Sequence, residues 1–190
     1  MNQVIKVKGH LKVVSKDAVT GKILQIEEGP NLVLNTGLES LCKLMAGDII
    51  VPSDVNPNDI LNKTYKANPN LPLYGQFGTN AIAPRATNTP SRFNGTLDDN
   101  LVTPREASDI IRVNSFYTDQ NSLTIQLLLP PTKGNGIGEG FMIYREAVLM
   151  CKVSDAPIRY KWFARKVFGD IEKSASTLIE AEWTFSFLAG

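Results

Sequence analysis

The side chains that most often do chemistry are sparse in this chain of 190 residues. There is one histidine, His10, and there are two cysteines, Cys42 and Cys151. No Ser–His or Cys–His relay can be built around one histidine that opens an apolar stretch. The cysteines lie far apart in apolar patterns. They read as reduced core thiols, without a disulfide framework or metal-ligand spacing. A zinc site would need His10, both distant cysteines and carboxylates together, so neither metal nor cofactor is expected.

Four other groupings invite chemistry, and each has a plainer reading. Gly134, Gly136, Gly138 and Gly140 resemble a phosphate loop, but a strand pattern follows them. No helix N-terminus would face a phosphate, so a hairpin connector is expected. Glu27-Glu28 and Asp98-Asp99 are adjacent carboxylates, which point to opposite faces of an extended chain. Glu139 and Glu146, with Arg145 and Arg165 near them, fit structural ion pairs. Trp162, Phe163, Trp183, Phe185 and Phe187 could stack on a sugar, but they fall on alternating strand faces and read as core. Lys6, Lys8 and Lys12 make a small positive strand face with no interleaved aromatic groove, so nucleic-acid binding is not expected. The residues make no positive case for an enzyme.

Composition agrees. Twenty basic and 19 acidic residues leave a net charge of +1, and 43% of residues are apolar. That balance suits a folded domain and lacks the field of a general nucleic-acid binder. Residues 1–190 read as one domain. The N-terminus alternates apolar and charged residues, unlike a signal peptide, and no stretch approaches the roughly 20 apolar residues that cross a bilayer. Synthesis and folding in the cytoplasm, with no membrane partner, are expected.

The elements that must position these residues are mostly strands. Residues 4–14 and 23–26 flank a turn at 16–22 that holds Asp17 and Gly21, which predicts a hairpin. One helix is expected over 36–46. Thr36 and Glu39 have capping-box spacing, and Leu38, Leu41, Cys42 and Met45 share a face at helical period. Strands are expected over 109–117, 122–129, 141–153 and 159–168. In the third of these, Phe141, Ile143, Ala147, Leu149 and Cys151 share a side. In the fourth, Tyr160, Trp162, Ala164 and Phe168 alternate against Lys161, Phe163 and Arg165. The last run alternates most cleanly. Ile179, Ala181, Trp183, Phe185 and Phe187 face one way, and Glu180, Glu182, Thr184 and Ser186 the other. Together these predict a mainly β fold: an antiparallel β-sandwich of about seven or eight strands with one short helix.

Residues 48–108 differ. Asparagine and proline crowd this stretch, so it reads as a long irregular insertion or arm within the domain. Residues 71–78 form an apolar island with the character of a short strand. Candidate contact residues are Leu71, Leu73, Tyr74, Phe77, Arg85, Phe93 and Asn94.

Three blocks carry a family resemblance. Glu28-Gly29-Pro30-Asn31-Leu32-Val33-Leu34-Asn35-Thr36-Gly37-Leu38, followed by Leu41 and Leu44, resembles the opening of small structural virion proteins of tailed bacteriophages. Residues 77–89, from Phe77-Gly78-Thr79 through Pro84, are similar to a second block. Asn80 stands where the family has a glycine, and Asn88 where it has an aspartate. Arg145-Glu146-Ala147-Val148-Leu149, then Phe163-Ala164-Arg165-Lys166-Val167-Phe168-Gly169-Asp170-Ile171-Glu172-Lys173-Ser174, resembles a third, closed by an aromatic strand. The blocks keep the family's order over about three-quarters of the chain. The resemblance implies a non-enzymatic component of the tail, neck, collar or baseplate, located in the virion. Its partners would be copies of itself in a cyclic oligomer and other tail or neck proteins. The alternative is a receptor- or glycan-binding module of a tail fibre or baseplate.

Overall fold

The structure, a computed structural model, describes residues 5–45, 72–79, 111–119, 121–135, 140–155 and 158–189. Nine strands and one helix follow in order: β1 (Ile5–Asp17), β2 (Ile23–Val33), α1 (Asn35–Met45), β3 (Tyr74–Gly78), β4 (Ile111–Arg112), β5 (Ser115–Asp119), β6 (Ser122–Leu129), β7 (Phe141–Asp155), β8 (Ile158–Ser174) and β9 (Thr177–Ala189). Every strand pair is antiparallel. The strand order is β4-β3-β7-β8-β2-β1-β9-β6-β5. The mainly β sandwich read from the sequence is the fold observed.

The sheet doubles back on itself to make two layers. Leu11, Val13, Ile125, Leu127, Trp183 and Phe185 come from the layer of β1, β6 and β9. They share one cluster with Phe77, Ala147, Leu149, Phe163 and Ala164 of β3, β7 and β8. Strand β2 joins the layers on one side, because it pairs with both β1 and β8. On the other side, residues 111–119 cross between layers. The Val113 N–H donates to the Leu73 carbonyl and the Asn114 N–H to the Gln126 carbonyl, both at 2.8 Å. Strands β4 and β5 are thus two ends of one stretch, and the sheet nearly closes.

The β1–β2 hairpin forms where its turn chemistry is strongest. The Asp17 carboxylate accepts from the Val19 and Thr20 N–H groups and the Thr20 hydroxyl, at 3.1, 2.7 and 2.7 Å. These bonds, the Thr20 hydroxyl first, hold its pKa below the usual carboxylate value. Gly21 takes the left-handed φ of 70°.

Two expected side-chain faces are corrected. In β7 the inward set changes parity. Tyr144 is buried and Met142 packs against the core, while Phe141 is 36% exposed; further on, Ala147, Leu149 and Cys151 face in. There the register shifts: Tyr144 stands opposite Ile171 and Glu146 opposite Val167, so Arg145 faces three residues of β8 and the alternation breaks. In β8, Trp162 and Ala164 lie in different clusters, and Phe163 faces in rather than out. The shift between Leu149 and Met150 accounts for it. Val148, Met150 and Trp162 form a second buried cluster with Leu34 on the other face of β7–β8. Burial on both faces explains why residues 147–151 are uniformly apolar.

The helix starts one residue early, and its cap differs from the expected one. Leu34 still donates to the Phe163 carbonyl as a strand residue, and its own carbonyl accepts from Gly37 and Leu38. Thr36 therefore lies inside the helix, with its hydroxyl donating to the Trp162 carbonyl, and Glu39 pairs with Lys43. The buried face is Gly37, Ser40 and Leu41, whereas Leu38 is 41% exposed and Cys42 is exposed. Small residues face β8 because the helix lies close to it. A Cβ on Gly37 would overlap the Phe163 carbonyl oxygen, a backbone atom that cannot rotate away. We predict that Gly37→Ala lowers stability by about 2 kcal/mol or more, since overpacking against backbone forces a main-chain shift. Urea denaturation measures it; an unchanged midpoint would contradict this packing.

Candidate functional site

The sequence-predicted chemical groups do not converge. Among the described residues, no three His, Cys, Asp or Glu side chains lie together as metal ligands, and no helix is long and apolar enough to cross a membrane. Cys151 is a buried thiol whose pKa burial pushes up to about 12, which makes it inert. Cys42 is exposed, which corrects its reading as a core residue. Asp98, Asp99, Gly136, Gly138 and Glu139 lie outside the described residues. Trp162 and Trp183 are at most 1% exposed, so neither forms a sugar-stacking platform. Trp183 instead stacks on Phe185, with ring centroids 6.5 Å apart.

The contact candidates divide. Leu73 and Phe77 are buried, Phe77 in the main cluster, and half-buried Tyr74 meets Tyr160 edge-on at 5.4 Å. Strand β3 is held between β7 and β4, so these three pack within the chain. Leu71, Arg85, Phe93 and Asn94 lie outside the described residues.

Two buried polar centres remain. On β7 and β8, Arg165 Nε donates to Glu146 at 2.7 Å, with side chains 4% and 0% exposed. Arg145 instead makes a two-bond contact to Asp170 at the surface, at 2.7 and 3.0 Å. That contact, led by the hydrogen bond, lowers the Asp170 pKa and raises that of Arg145. A buried charge pair returns little net stability, yet removing one member strands the other. We predict that Arg165→Met alone costs about 3–5 kcal/mol, and that adding Glu146→Leu recovers most of it. Denaturant midpoints of the single and double variants check this.

The second centre is Lys173. It is fully buried, and its ammonium donates to Asn135 Oδ1, the Ser174 carbonyl and the Pro131 carbonyl at 2.6, 2.7 and 3.4 Å. The Asn135 amide and the Tyr144 hydroxyl add bonds to Pro131 and Gly134. Lys173 thereby anchors the turn after β6. Burial lowers its pKa from 10.5 to about 8. Between those two values the unfolded chain carries a proton that the native one has shed. The native state is therefore favoured as pH rises through that window. Below it, both states are charged and the desolvation cost is fully present. We predict that stability relative to Lys173→Met rises by about 1–3 kcal/mol between the two pKa values. Urea unfolding at both ends of the window measures it; a flat difference would refute it.

The outward face of β2, β1, β9 and β6 is patterned. Lys6, Lys8, His10, Lys12 and Lys16 form a column on β1. Lys12 stands opposite Glu182 of β9 and Glu28 of β2. Lys16 bonds Glu180 at 2.5 Å, and Gln126 donates to Glu182 at 3.0 Å. The next row, Ile26, Val14, Glu180 and Leu128, is largely apolar. Ile23, Leu24 and Ile26 are 51%, 52% and 46% exposed. Residues 23–26 read only as a strand from the sequence. They sit on the part of β2 beyond its ladder to β8, which is formed at Leu32 and Val33. Beyond that point, side chains replace the ladder: Gln25 donates to the Asp170 carbonyl, and Glu27 accepts from the Gly169 N–H at 3.2 Å.

No protein-family model matches the chain, and no curated protein or solved structure matches it either.

Proposed function

We propose that this chain is a non-enzymatic structural component of a tailed-phage virion. It acts by assembling with copies of itself, as a ring or sheath at the neck, collar or tail. The observation that carries the reading is the exposed apolar run on β2, beside an edge that β8 leaves largely without a ladder. A chain that works alone usually covers or charges such an edge. The three sequence blocks support the same reading through their resemblance to virion proteins. The net charge of +1 puts little like-charge repulsion between copies. The glycan-binding alternative loses its two tryptophans to the core.

Light scattering on the column-purified protein, together with antibody labelling of purified virions in the electron microscope, tests the proposal. We predict a discrete oligomer of several copies and label at the neck or tail. A stable monomer that is absent from virions would overturn it.

A further inference from the structure

We infer that the outward face of β2, β1, β9 and β6 is the surface on which one copy of this chain meets another. This inference rests on the self-assembly reading and names one contact of it: a patch that meets itself joins copies in two-fold pairs, and a ring needs a second, heterologous contact besides.

The charges on this face argue for a second copy as its occupant. On the β1 column, Lys12 lies between Glu28 on β2 and Glu182 on β9, and Lys16 bonds Glu180, whereas Lys6 and Lys8 stand opposite Leu188 and Ser186. Neighbouring columns are one strand apart, about 4.8 Å. A second copy displaced by one strand sets its lysines against these carboxylates, and its carboxylates against these lysines. A face of one sign would repel its own copy. A face of alternating sign is complementary to itself. The apolar row supplies what charge alone does not. Ile26 and Ile23 are about half exposed; buried Val14 stands beside Ile26, and half-buried Leu128 lies beyond Glu180 in the same row. The surface is also recessed: a depression of about 390 Å³ is lined by Val14, Ile23, Ile26 and Leu128 together with Lys12, Lys16, Glu180 and Glu182.

Polyanions are the competing occupant for a lysine column. Glu28, Glu180 and Glu182 argue against them at Lys12 and Lys16, where a phosphate would meet a carboxylate beside each cation.

The test uses the full chain with three substitutions at positions whose side chains face solvent. Ile26→Glu places a charge in the apolar row. Lys12→Glu makes the face acidic, and Glu182→Lys makes it basic. Sedimentation of each variant reads assembly, and circular dichroism confirms folding. Ile26→Glu is expected to weaken self-association by about tenfold or more. Lys12→Glu and Glu182→Lys are each expected to dissociate alone and to reassemble when mixed, because the two faces are then opposite in sign. Folded variants that assemble like the parent, or a mixture that stays dissociated, would overturn the inference while leaving self-assembly standing. A parent chain that is itself monomeric would overturn both.

Discussion

The structure turns on a two-residue join. Leu32 and Val33 of β2 pair with Arg165 and Ala164 of β8, and these are the only ladder contacts between the two layers on that side. Because β2 is also paired with β1 along most of its length, this join holds the sandwich shut. The next residue, Leu34, donates to the Phe163 carbonyl and then starts the helix. The helix is therefore delivered directly onto β8, with no loop to give it room. That is why its contact face carries the small residues Gly37 and Ser40 beside Leu41, while Leu38 turns to solvent. The join also has a negative consequence. Having paired at one end, β2 diverges from β8, and the Gln25 and Glu27 side chains span the gap. The exposed Ile23, Leu24 and Ile26 sit on that diverging part.

Much of this was legible wherever one physical rule acted alone. Strand β9 alternates because one face packs on the core and the other meets solvent, so Trp183 and Glu182 declared their faces in the sequence. The β1–β2 hairpin was legible because Asp17 and Gly21 can do little else between two β-branched runs. Legibility failed where two rules competed. Residues 141–151 are buried on both faces beyond the bulge, so period two had nothing polar to contrast with. The bulge at Arg145 then reversed the parity that Phe141 and Ile143 suggested. Thr36 and Glu39 had the spacing of a capping box, but the first helical bond was already taken by Leu34. A local motif cannot show that the preceding residue is held in a sheet.

The candidate surface was the least legible part, because a face is a product of register. Lys12 and Glu182 stand opposite each other although 170 positions separate them. Each could be assigned outward from its own strand. Only the pairing of β1 with β9, and of β1 with β2, turns three strand patterns into columns of alternating sign.

Those columns give the low net charge a physical meaning. Opposite charges about 4.8 Å apart cancel well inside the screening length of about 10 Å at ordinary salt. Around Lys12 and Lys16 the opposite charges therefore largely screen one another. At contact the cancellation no longer holds, since each charge then meets a particular neighbour. A slip by one strand would set lysine against lysine. Such a pattern adds little affinity but penalises the wrong register, which is where charged interfaces contribute most. A patch that meets itself closes a two-fold pair, so on this face the selectivity fixes one register for that pair.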